Sequence, residues 1–149
     1  MDLSPEWVVG FVDGEGCFHV SVNRHPEMKF GFQVLPEFVV VQHCSDRSLL
    51  FALKRFFGAG TVRSNHGDRD CLRIRKLDSL QNVCDFFMKH PLKSRKNVDF
   101  RKFRQIVLMM LDKKHLSVEG MIEIIDVALE MNSLDRPRLL EVRSALLNG

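Results

Sequence analysis

The sequence predicts an α+β fold built on an antiparallel sheet, and three observations carry that reading. Residues 17–25 alternate polar and apolar with period two, a second such stretch covers 30–43, and two shorter ones cover 61–65 and 71–75. The strands come in hairpin pairs, each pair preceded by a helical segment. The order is α-β-β-α-β-β-α followed by further helices, without the regular strand–helix alternation of a parallel sheet. Finally, 149 residues with 45% apolar and 28% charged side chains suit one globular domain spanning 1–149.

The elements follow in order. Ser4-Pro5-Glu6 is a helix start: a hydroxyl at the cap, proline at the first helical position, an acid in the first turn. A short helix then runs through Trp7 to Val12, with Asp13-Gly14-Glu15-Gly16 expected to end it on glycines free to take positive φ. Almost every side chain in it is apolar, so both faces need cover. Gly10 costs roughly 1 kcal/mol against Ala, which a close backbone neighbour would explain. In the first strand Phe18, Val20 and Val22 face inward, opposite Cys17, His19, Ser21, Asn23 and His25. The turn at 26–29 leads to the second strand, whose inward set is Phe32, Val34, Phe38 and Val40, with Gln33, Leu35, Glu37 and Val39 outward. Pro36 predicts a bulge or a break there. Residues 46–57 form a helix with Leu49, Leu50, Leu53 and Phe56 on its stripe and Gly58 as the stop. The second hairpin turns at His66-Gly67-Asp68, with Leu72 and Ile74 inward and Arg73 and Arg75 outward. Helices are expected at 78–89, 96–113, 118–131 and 137–147.

Charge is unevenly distributed. The first 23 residues carry −4 through Asp2, Glu6, Asp13 and Glu15, and the remainder carries +7. Residues 89–104 hold seven basic side chains against Asp99 alone. A basic surface with an acidic island points to a polyanionic partner and a place for a cation. The longest apolar run, 106–111, is far short of a membrane span. The acidic N-terminus lacks the pattern of a signal or transit peptide, so neither secretion nor membrane insertion is expected. The four cysteines, at 17, 44, 71 and 84, lack zinc-knuckle spacing and read as thiols in a reducing compartment. Cys17-x-His19 offers two ligands, too few for a structural zinc site.

The segment Trp7-Val8-Val9-Gly10-Phe11-Val12-Asp13-Gly14-Glu15-Gly16 resembles the signature of the LAGLIDADG homing endonucleases, an apolar helix with an internal glycine ending in acid-Gly-acid-Gly. Cys17-Phe18 opening a strand, Pro36-Glu37-Phe38 in the next, and Pro91-Leu92-Lys93-Ser94-Arg95-Lys96 are also similar to the family, as is the element order over about residues 5–131. The resemblance implies a DNA-binding saddle formed by the antiparallel sheet, with helices at the C-terminal end of the chain. It also implies hydrolysis of both strands of a long DNA site across the minor groove, leaving 3′ overhangs.

Site residues carry over one by one. Glu15 matches the metal-binding acid, with the Gly14 carbonyl as companion ligand. Asp13 matches the first acid, which is structural at the helix end. Carboxylate and carbonyl oxygens suit Mg²⁺, with Mn²⁺ as a substitute. Gln42 matches a residue that helps place the active-site water, and Lys96 the active-site lysine. Read as residues alone, Gln42 is equally a strand-end polar group and Lys96 one of several phosphate contacts. Some relatives carry a further basic residue after the second strand. Asp46-Arg47 stands there, with Arg47 the nearest candidate. A β-ribbon fits the major groove, so the outer faces of both hairpins supply candidate base contacts. These are His19, Ser21, Asn23, His25, Gln33, Leu35, Glu37, Val39, Arg63, Asn65, Arg73 and Arg75. Lys93, Arg95, Arg101, Arg136 and Arg138 read as phosphate contacts.

Only one motif copy is found in the chain. Family members with one motif pair to assemble two active sites, so a C2 homodimer through Trp7, Gly10 and Phe11 is expected, with a roughly palindromic target. An intron maturase that binds RNA, and a DNA-binding regulator without catalysis, are the alternatives on the same fold. The resemblance places such a protein in an organelle that encodes it, or in microbial cytoplasm.

Overall fold

The computed structural model describes residues 1–132 and 136–149. Ten principal elements follow in order: α1 (Pro5–Glu15), β1 (Gly16–Arg24), β2 (Phe32–His43), α2 (Arg47–Phe57), β3 (Thr61–Ser64), β4 (Arg69–Ile74), α3 (Leu77–Lys89), α4 (Lys96–Leu111), α5 (Val118–Leu129) and α6 (Pro137–Asn148). Short 3₁₀ turns at Cys44–Asp46 and Lys114–Leu116 precede α2 and α5. The sheet order is β1-β2-β4-β3, and β4 runs antiparallel to both of its neighbours, so the expected α+β class is observed. Among the described residues no helix is long and apolar enough to cross a membrane.

The chain divides into two compact units. The first comprises 1–18 and 37–97, and the second 19–36 and 98–149. The first unit has an aromatic centre. Phe18 lies 5.2 Å from Phe38 and meets Phe87 edge-on at 5.8 Å, while Phe57 packs edge-on against both Phe38 and Phe86. Such tilted and edge-to-face pairs each contribute about 0.5–1.5 kcal/mol beyond area burial. Leu50 and Leu53 of α2, Leu72 and Ile74 of β4, and Leu80 and Val83 of α3 complete this buried set. The second unit is aliphatic by comparison. Val20, Val22 and Val34 are buried, as are Phe100, Phe103 and Ile106 of α4, Ile124 and Ile125 of α5, and Leu139 of α6.

Two local expectations are corrected. The α1 helix does not stop at Val12 but runs through Gly14 to Glu15, and neither Gly14 nor Gly16 has positive φ. Gly16 is extended, with φ −82°, and its N–H donates to the Val12 carbonyl. Glycine is needed there for space, since an added Cβ would meet Val12 Cγ1 at 2.6 Å and the Val12 carbonyl oxygen at 3.1 Å. Pro36 neither bulges nor breaks β2. The inward parity of Phe32, Val34, Phe38 and Val40 persists through it, and Pro36 is buried with them. Pairing with β4 spans Phe38 to His43, so Pro36 lies beyond that ladder and removes no hydrogen bond from it. By contrast Gly58 is left-handed as predicted, φ +66°, and ends α2.

Candidate functional site

The end of α1 is tied to the segment before α4 by a dense polar network. Asp13 Oδ2 accepts from the Lys93 N–H at 2.7 Å, and Oδ1 accepts from the Ser94 hydroxyl at 2.7 Å and the Ser94 N–H at 3.1 Å. The Ser94 hydroxyl oxygen in turn accepts from the Lys96 N–H at 3.2 Å. Lys96 Nζ donates to the carbonyls of Val12 at 3.0 Å and Asp13 at 3.1 Å. These carbonyls lie in the last turn of α1, where the helix dipole is negative, so an ammonium there is favourable. Two of the three Lys96 Nζ–H donors are used, leaving one. Burial pushes the Asp13 carboxyl up. The Ser94 hydroxyl, the Lys93 and Ser94 N–H groups and the Lys96 charge outweigh that and hold it below its usual value. Asp13 is thus the structural acid expected at the helix end.

Glu15 is the last residue of α1 and is exposed, as is Gly14. Its carboxylate and the Gly14 carbonyl offer hard oxygen donors to a divalent cation. Among the described residues no group of three His, Cys, Asp or Glu side chains forms a metal cluster. The donor set therefore fits an ion that keeps water or phosphate oxygens in its shell, as Mg²⁺ does.

Gln42 is half-buried near the end of β2, and its Nε2 donates to the Val41 carbonyl at 2.9 Å. Directly across the ladder stands Asp70, only 3% exposed, a residue the sequence reading passed over. Asp70 Oδ2 accepts no hydrogen bond, and its ion pair with Arg47 Nη1 is 3.5 Å long. Arg47, the candidate basic residue after the second strand, is thereby held by a buried carboxylate. The signal was parity: Asp70 shares its face with Leu72 and Ile74. Beside it His43 Nε2 lies 3.0 Å from Asp68, and His43 Nδ1 accepts the Ser45 N–H at 3.1 Å.

The candidate base contacts are described unit by unit. In the first unit Arg63 and Asn65 are exposed, and with Arg73 and Arg75 they line a groove of about 610 Å³. Val39 pairs with Arg73 across the ladder and is half-buried. Glu37 is 8% exposed. Its Oε2 accepts from Arg75 Nε at 2.7 Å and lies 3.4 Å from Arg73 Nε. Lys93 and Arg95 are exposed. In the second unit His19, Ser21, Asn23, His25, Gln33 and Leu35 are half-buried, with Asn23 Nδ2 donating to Ser21 Oγ at 3.2 Å. Arg101 and Arg138 are exposed, whereas Arg136 donates from Nη2 to the Val20 carbonyl at 2.6 Å.

On the other face of α1, Trp7 is 42% exposed and stacks on Phe11 with centroids 4.9 Å apart and planes 10° from parallel. Gly10 is exposed, and an added Cβ would meet no atom of this chain within 4 Å. The close backbone neighbour expected at Gly10 is therefore absent among the described residues.

Comparison with known proteins places this arrangement. The sequence profile of the LAGLIDADG endonucleases matches residues 8–107. A protein named probable intron-encoded endonuclease 2, from Neurospora crassa, is 34% identical over 133 residues, which is 87% of this chain and 29% of that protein. The chain thus spans less than a third of that relative's length. The crystal structure of a homing endonuclease, I-TnaI, superposes with TM-score 0.95 at 56% identity, covering 98% of this chain and 99% of that one. That of the LAGLIDADG homing endonuclease I-SmaMI bound to cleaved DNA gives TM-score 0.90 at 31% identity, covering 95% of this chain and 48% of that one. The profile match takes in most of the helix that ends in Asp13-Gly14-Glu15-Gly16, and the chain, whose 149 residues hold one copy of that motif, belongs to the LAGLIDADG endonuclease family.

Proposed function

We propose that the protein is a homing endonuclease that binds double-stranded DNA and hydrolyses a phosphodiester in each strand, with Mg²⁺ as cofactor and Mn²⁺ able to replace it. The observation that carries this reading is the end of α1, where the exposed Glu15 carboxylate stands two residues beyond the Asp13 carbonyl that receives Lys96 Nζ. Similarity to an endonuclease seen on cleaved DNA supports it.

In this reading Glu15 and the Gly14 carbonyl hold the cation. A bound cation lowers the pKa of water and screens charge at the phosphate. Lys96 keeps one N–H for charge that develops on phosphate oxygen. Its other two bonds fix it against motion, so little reorganisation is needed during the reaction. Gln42 orients the attacking water. The water oxygen bonds to phosphorus, its proton passes to solvent, and the bond to the leaving oxygen breaks as that oxygen takes up a proton from solvent. Arg47, paired with the Asp70 that stands across the ladder from Gln42, adds positive charge.

One chain supplies one such carboxylate. We propose that two copies pair through the open α1 face at Trp7, Gly10 and Phe11, placing two Glu15 side chains together. A two-fold dimer reads a near-palindromic site and leaves 3′ overhangs when it cuts across the minor groove. Cleavage selection on a duplex library, with Mg²⁺ or with chelator, tests this. A near-palindromic cut site found only with metal is expected. Enrichment of bound duplex without any cutting would overturn the nuclease reading.

A further inference from the structure

A carboxylate on a sheet face that receives DNA is at first sight misplaced, because it repels phosphate. Glu37 is buried there between two arginines of the neighbouring strand, both belonging to the same compact unit. One oxygen, Oε2, serves both partners: 2.7 Å to Arg75 Nε as a hydrogen bond and 3.4 Å to Arg73 Nε as an ion pair. Arg73 Nε is itself buried and makes no hydrogen bond, so charge alone holds it. Both arginines are held at Nε, and a contact there leaves the Nη1/Nη2 edge of the guanidinium chemically available. That edge is the one that pairs with N7 and O6 of guanine.

We propose, on the reading that this protein binds duplex DNA, that Glu37 is a positioning residue for specificity. Its carboxylate fixes Arg73 and Arg75 as guanine readers and does not itself contact a base. Three physical effects combine. Fixing two long side chains before binding lowers the entropy cost of bidentate contact. Fixing their direction penalises base pairs that offer no matching acceptors. The carboxylate also lowers the local charge from +2 to +1, which weakens attraction to phosphate of any sequence and so sharpens discrimination.

The consequence is opposite for specificity and for affinity. Glu37→Gln removes the charge but keeps the size. Preference at the affected base pairs should fall about tenfold. Binding to unrelated duplex should strengthen, with a steeper salt dependence. The experiment compares base preference across the target for wild type, Glu37→Gln, Arg73→Ala and Arg75→Ala, with a melting curve for each. The expected result is that Glu37→Gln relaxes the same positions as the two arginine variants and no others. Unchanged preferences in Glu37→Gln would show a plain cross-strand strap and overturn the proposal. If Glu37→Gln fails to fold, the two arginine variants still decide, since unchanged preference in both would overturn it. Failure of the wild type to bind any duplex would instead sink the DNA-binding reading, and this proposal with it.

Discussion

The two faces of α1 contrast sharply. At its C-terminal end, five hydrogen bonds join Asp13 and Lys96 to the helix carbonyls and to residues 93 and 94. Its outward face carries a stacked Trp7–Phe11 pair and Gly10, where an added Cβ would meet nothing beyond the helix's own backbone within 4 Å among the described residues. One helix therefore carries an end where Asp13 and Lys96 are pinned by several hydrogen bonds and a face that is left open among the described residues. Chemistry on a phosphodiester needs atoms held in place in the monomer, whereas an assembly surface must stay vacant until its partner arrives. On the proposed function the same ten-residue motif serves both needs, with α1 running uninterrupted to Glu15.

The largest effect expected, after loss of Glu15 itself, is at the pinned end. Lys96→Ala should lower the rate of DNA cleavage by about 10²–10³-fold, measured as single-turnover hydrolysis. DNA binding should fall only a few-fold, since one cation among many is lost. A rate within a few-fold of wild type would show that Lys96 merely caps the helix. Asp13→Ala should cost about 1–2 kcal/mol of stability, measured by denaturant unfolding, because the two N–H groups and the hydroxyl it satisfies are left to water. Its carboxyl is depressed in the fold, so this contribution is full above the unfolded value of 3.8 and is lost as pH falls through the folded one. The stability gap between wild type and Asp13→Ala should therefore close in strong acid and persist at neutral pH.

How far these features were legible from sequence differs between the two faces. The acid-Gly-acid-Gly end was visible as a motif, and Glu15, Lys96 and Asp13 stood out by spacing and resemblance. Local pattern alone did not show that Asp13 binds residues 80 and 81 positions away, because a contact of that range leaves no periodic trace. Gly16 was assigned a conformational role when its real role is steric, since only the packed Val12 side chain reveals the shortage of space. Asp70 was missed because the return strand was begun two residues too late, at Cys71. The actual strand starts at Arg69, and parity then turns Asp70 inward. Pro36 misled because on the β4 side of the strand the ladder begins only at Phe38, so the proline removes no bond from it.

At the open face the predicted effect is smaller and of a different kind. Gly10→Leu should leave the melting temperature of the isolated chain within a few degrees of wild type, because its Cβ meets no atom within 4 Å. Dimerisation, measured by light scattering over a concentration series, should weaken at least about tenfold if Gly10 lies in the contact. A smaller shift is expected from His115, whose imidazole is held below its usual value by burial. Its contribution to stability is full above the unfolded value of 6.5 and is lost as pH falls through the lower folded one, so His115→Gln should flatten the pH dependence of unfolding below pH 6.5.

On the proposed function the exposed Glu15 carboxylate at the end of α1 holds the cation, Lys96 stabilises charge at the phosphate, and Asp13 keeps that end in place. Comparing Glu15→Gln with wild type for both binding and cleavage of the selected duplex in Mg²⁺ tests this most directly. Glu15→Gln is expected to bind within a few-fold of wild type and not to cut. Cleavage by Glu15→Gln at the wild-type rate would contradict it.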